Sequence, residues 1–105
     1  MDQHDKKVLL AFARAVREKY PEARIWAFGS RARGNPSPFS DFDICVVLNK
    51  LDEAIDKIII DIAWHIGYEN DILISTVTFP EDAFENGPIS ASPIIKSILR
   101  NGIAA

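Results

Sequence analysis

Two aspartates, Asp41 and Asp43, stand at i and i+2 where the chain turns apolar, in SDFDICVVL. Side chains alternate along a strand, so both carboxylates would face one side, about 7 Å apart, with Phe42 and Ile44 turned the other way into a core. Such a pair can share a divalent cation or hold two. Magnesium suits it, because Mg²⁺ takes a couple of carboxylates and fills its octahedron with water and phosphate oxygens. Upstream, Gly29-Ser30 ends the apolar run Ile25-Trp26-Ala27-Phe28. A glycine lets a phosphate approach the backbone. Free N–H groups at the start of a helical turn, with the Ser30 hydroxyl, can bind its oxygens. Arg31 and Arg33 add cations nearby. Asp71 opens a third apolar stretch, and strand adjacency would set its carboxylate beside the first two. A triphosphate, metal ions and a carboxylate base are the parts needed for in-line nucleotidyl transfer. Each part alone has a plainer reading: a solvated turn for Asp-x-Asp, surface charge for the arginines, a strand-start cap for Asp71.

These residues need elements to hold them. Val8, Phe12 and Val16 recur every four residues, widened by Leu9 and Ala15, and predict an amphipathic helix from about Asp5 to Tyr20, stopped by Pro21. Residues 25–28 predict a strand buried on both faces. Ser30 to Ser40 holds Gly34, Pro36 and Pro38 and reads as a helical turn followed by a loop. Phe42 to Leu48 is β-branched and predicts a second strand. Asn49 is the expected cap of a helix whose stripe is Ile55, Ile58, Ile59, Ile62 and Ile66, with Ile60 and Trp64 widening the apolar arc and Gly67 ending it. Asp71 to Val77 is the expected third strand, and Pro80 to Ala91 an aperiodic loop. Ser92-Pro93 starts a last helix and Gly102 stops it. The order is helix, strand, strand, helix, strand, helix.

The 105 residues, numbers 1–105, suit a single domain. With 48% apolar and 26% charged residues the composition is globular, not disordered. No apolar run approaches the roughly 18 residues of a membrane span, and no signal-peptide block follows the N-terminus. The one cysteine, Cys45, excludes an internal disulfide and a thiolate zinc site, so a reducing cytoplasm is expected. Cys45 itself reads as core. His4 and His65 read as solvent-facing, with no partner at the spacing of a hydrolase triad. A net charge of −3 argues against binding nucleic acid by bulk charge.

The joint pattern is more specific than its pieces. An apolar strand, Gly-Ser, ten intervening residues, then Asp-x-Asp in a second apolar strand resembles the signature of the polymerase-β-like nucleotidyltransferase superfamily. The wording GSRARG…SDFDICVV is similar to that of its smallest members, the minimal nucleotidyltransferase (MNT) proteins, over nearly the whole chain. The resemblance implies an α/β (α+β) fold with a small mixed sheet flanked by helices. It implies a Mg²⁺-dependent transfer of AMP from ATP, with Asp41, Asp43 and Asp71 as catalytic and metal-binding residues and Gly29, Ser30 and Arg33 at the nucleotide. MNT proteins pair with HEPN-domain ribonucleases as antitoxins and modify a tyrosine of the toxin, so a HEPN partner and that acceptor are expected. Two other readings stand beside it. One is a non-catalytic module that neutralises its partner by occlusion. The other is an enzyme acting on a small molecule, with a homodimer building the acceptor pocket. A surface left for the partner is expected on the helix around Trp64 or on the loop around Phe84 and Ile89.

Overall fold

The computed structural model describes residues 1–35 and 39–105; the expected loop prolines Pro36 and Pro38 lie outside the described residues. The chain runs α1 (Gln3–Lys19), β1 (Arg24–Phe28), α2 (Gly29–Arg33), β2 (Phe42–Leu48), α3 (Glu53–Glu69), β3 (Ile74–Pro80), α4 (Glu81–Glu85), a 3-10 turn (Pro88–Ala91), α5 (Pro93–Asn101) and β4 (Ile103–Ala104). The four strands form one mixed sheet in the order β3-β2-β1-β4. The β1–β2 and β1–β4 pairs are antiparallel, and β2–β3 is parallel, joined through α3. That crossover is what a parallel pair requires. The expected mixed sheet flanked by helices is the observed architecture.

Strand alternation sorts the apolar residues onto two faces. Phe42, Ile44, Val46 and Leu48 of β2, with Ile25 and Ala27 of β1, pack against Val8, Phe12 and Val16 of α1 and Ile59 of α3. Cys45 and Val47 point the other way, against Phe84 of α4 and Ile95 and Ile98 of α5. Burial pushes the Cys45 thiol up to about 12, which leaves it an inert core residue as expected. No helix among the described residues is long and apolar enough to cross a membrane.

Several local expectations are corrected. Asp52, not Asn49, caps α3: its carboxylate accepts the Ile55 N–H at 2.8 Å. Gly67 does not end α3, which continues to Glu69. It lies where the chain folds back, and a Cβ there would collide with the Ile72 carbonyl. The segment read as a loop contains α4 and the 3-10 turn, and Phe84 is buried in a stack with Trp26, centroids 5.4 Å apart. Trp64 stays 62% exposed and Ile89 50%, so of the three proposed surface residues only Phe84 is interior. The two-residue β4 is too short to carry a periodic signal. Ser92 does cap α5, with its Oγ accepting the Ile95 N–H, and Gly102 does follow its last residue.

Candidate active site

The site lies where β1 gives way to α2 and the chain returns to start β2. Gly29 follows β1 directly and has φ +77°, a conformation that costs other residues roughly 1–2 kcal/mol. A Cβ at Gly29 would collide with Oδ2 of Asp43. The residue is therefore glycine for two reasons: the backbone turn and the carboxylate packed against it. That contact joins the Gly-Ser turn and the aspartate pair into one place. β1 and β2 are in register there, with Phe28 opposite Asp43.

Asp41 is exposed, just before β2, and Asp43 is half-buried on its first turn of pleat. Burial raises the Asp43 carboxyl above its usual value, Asp41 raises it further, and Arg33 lowers it. The two aspartates and Arg33 are thus one electrostatic group, as the spacing suggested. Their donor set fits a divalent cation. Two carboxylates crowd each other at a partly desolvated edge, and a bound cation would relieve both the repulsion and the burial. Ser30 is half-buried beside Gly29 on α2.

Arg31 has a different task from the one its type suggested. Its Nη1 donates to both carboxylate oxygens of Asp5, at 3.1 and 3.2 Å, and its Nε donates to the Ser40 carbonyl at 2.9 Å. Asp5 is 1% exposed. One guanidinium therefore ties α1, α2 and the residue before Asp41 together, and its planar fork suits three such contacts. No local pattern links residues 26 positions apart. The only available hint was an acidic residue on the inward side of α1. His4 completes this end: Nδ1 lies 3.1 Å from Asp5 Oδ1 and Nε2 lies 3.1 Å from the Asn70 carbonyl. Asp2, His4 and Asp5 bring ligand atoms within 4.8 Å of one another. Asp2 is engaged in the helix cap, Asp5 in the Arg31 pair and His4 with Asp5 and the Asn70 carbonyl, so the cluster is a structural joint.

Asp71 is the expected site residue that the structure does not bring to the pair. β3 begins at Ile74, not at Asp71. Asp71 sits in the turn after α3 with φ 56°, and Ile72 N–H bonds back to the Gly67 carbonyl at 3.0 Å. Its neighbours line an apolar pocket of about 290 Å³ with Trp64 and Tyr68 of α3. The charges acting on Asp43 are those of Asp41 and Arg33. The left-handed turn is the physical reason: it breaks the alternation that would have carried Asp71 onto the Asp43 face.

The "Nucleotidyltransferase domain" family matches residues 9–105, a span that holds both motifs. The chain belongs to the nucleotidyltransferase domain family. No curated protein sequence matches it. Among solved structures, a mutant of the toxin–antitoxin MntA-HpeT is similar at 19% identity with a TM-score of 0.63, covering 95% of this chain and 70% of that one. A toxin–antitoxin structure with AMP-PNP is similar at 21% identity and TM-score 0.63, covering 90% and 69%. These likenesses establish a shared nucleotidyltransferase fold.

Proposed function

We propose that this nucleotidyltransferase moves AMP from ATP onto a tyrosine hydroxyl of a HEPN ribonuclease, and so acts as the antitoxin of a toxin–antitoxin pair in the cytoplasm. The observation that carries the transfer is the packing of Gly29 against Asp43, which makes the phosphate-approach turn and the carboxylate pair a single site. Support for the partner is the resemblance to MNT proteins, together with the fold shared with two toxin–antitoxin structures, one of them with AMP-PNP.

In this reading Asp41 and Asp43 hold Mg²⁺, which when bound neutralises triphosphate charge. Gly29 admits the β- and γ-phosphates to the backbone, and the Ser30 hydroxyl donates to a phosphate oxygen. Arg33, exposed at the end of α2, adds a cation at the same edge. Arg31 touches no substrate and acts as a positioning residue. By holding the Ser40 carbonyl it fixes the approach to Asp41. The acceptor oxygen forms its bond to the α-phosphorus as diphosphate leaves, and its proton passes to a carboxylate of the pair. Preset geometry of this kind is where most of the rate advantage of such transfers arises.

An α-³²P-ATP transfer assay with Mg²⁺, with and without the proposed HEPN partner protein, tests the reading. Label on the partner, lost when its tyrosines are replaced by phenylalanine, is the expected result. Partner inhibition without label would favour occlusion. Label on an added aminoglycoside instead would favour a small-molecule enzyme.

A further inference from the structure

The parallel β2–β3 ladder sets Ser75 opposite Asp43. Residues paired across neighbouring strands lie about 4.8 Å apart and point to the same side. The faces agree with this. Val77 and Phe79 of β3 pack with Cys45 and Val47, on the Asp43 side, whereas Ile74 packs with Phe42 and Ile44 on the other. Ser75 is exposed, and its hydroxyl has no hydrogen-bond partner among the described residues. β3, with the sequence ISTVTFP, contains no acidic residue. Asp71, three residues before it, is carried off by the left-handed turn.

We propose that Ser75 is the third side chain of the metal-facing edge, so that a neutral hydroxyl stands where an adjacent strand could supply a third carboxylate. The inference rests on the nucleotidyl-transfer reading above. Its consequence is that the edge carries only the two charges of Asp41 and Asp43. Such an edge suits a cation already chelated by a triphosphate, with the Ser75 hydroxyl bonding to that cation's water or to a phosphate oxygen. A cation without nucleotide is held weakly, because two carboxylates alone must offset its dehydration.

Manganese titration of the full chain, read by electron paramagnetic resonance, tests this with and without a non-hydrolysable ATP analogue. The wild type binds one Mn²⁺ with the analogue and binds far more weakly without it. Ser75→Asp tightens nucleotide-free Mn²⁺ binding by roughly tenfold or more, since it adds a charge within a few ångströms. Ser75→Ala weakens the Mn²⁺–analogue complex by roughly two- to tenfold, one hydrogen bond's worth. Unchanged affinity in both variants overturns the inference. Ser75→Ala alone decides the matter if Ser75→Asp fails to give a native melting curve. Asp43→Asn separates the two levels of the argument. If it removes Mn²⁺ binding while both Ser75 variants match wild type, only the Ser75 inference falls. If it changes nothing, or if the wild type binds no Mn²⁺ with the analogue, the site reading falls and this inference with it.

Discussion

Replacing Arg31 by alanine should cost this domain much of its stability, although arginine is an ordinary surface residue by type. Among the described residues, the substitution leaves Asp5, 1% exposed, with His4 alone to face its carboxylate. Breaking a buried ion pair by removing one partner costs about 3–5 kcal/mol. The lost bond to the Ser40 carbonyl adds about 1.5–3 kcal/mol where a charged donor is involved, though Ser40 can recover part of that from water. A domain of this size has only about 5–15 kcal/mol in all. At roughly 4–8 °C per kcal/mol for small domains, the melting temperature should fall by at least about 12 °C. Urea unfolding followed by circular dichroism gives the free energy, and a double-mutant cycle with Asp5→Ala gives the coupling. Arg31→Lys, which keeps the charge but not the fork, should recover only part of the stability. A loss below about 1 kcal/mol in Arg31→Ala, or an Asp5–Arg31 coupling near zero, would refute the reasoning and return Arg31 to the surface.

Other consequences are equally direct. Gly29→Ala should abolish ATP use and lower stability by about 1–2 kcal/mol or more from the positive φ alone, checked by calorimetry and melting. Ser30→Ala should weaken ATP binding by about 1.5–3 kcal/mol, and unchanged calorimetric affinity would place the phosphates elsewhere. Because the folded-state carboxyl of Asp43 is raised above its ordinary 3.8, the folded chain holds its proton longer than the unfolded chain. Stability from this group is therefore present below about 3.8 and lost as pH rises from there through the raised value. Asp41→Asn removes one cause of the shift, so its melting temperature at pH 7 should be no lower than wild type; a clear drop would contradict the repulsion.

The periodic elements were legible because their signal is local. The α1 stripe places Val8, Phe12 and Val16 inward and the helix ends within two residues of expectation. Asp-x-Asp and Gly-Ser came together as the motif spacing implied. What escaped was non-local or set by a single dihedral. Composition places Asp71 in a strand, but one positive φ moves the strand start to Ile74. Ser75 becomes interesting only through its register with Asp43, which no linear pattern states. The Asp5–Arg31 pair joins residues far apart in sequence, and α4 is a five-residue helix with too little periodicity to detect. Its Phe84 is buried by an aromatic stack on Trp26, a contact visible only once the sheet is formed.

The central claim is that Asp41 and Asp43 carry the chemistry. It is tested most directly by the rate of ³²P-AMP transfer from α-³²P-ATP to the proposed partner protein in the Asp41→Asn, Asp43→Asn double variant, beside its melting curve. Asp43 stands near the N-terminal end of the central strand β2 and Asp41 just before it, both outside the buried apolar clusters, so the fold should survive the change. The account predicts a native melting transition with transfer abolished. Transfer at the wild-type rate in that variant would contradict it.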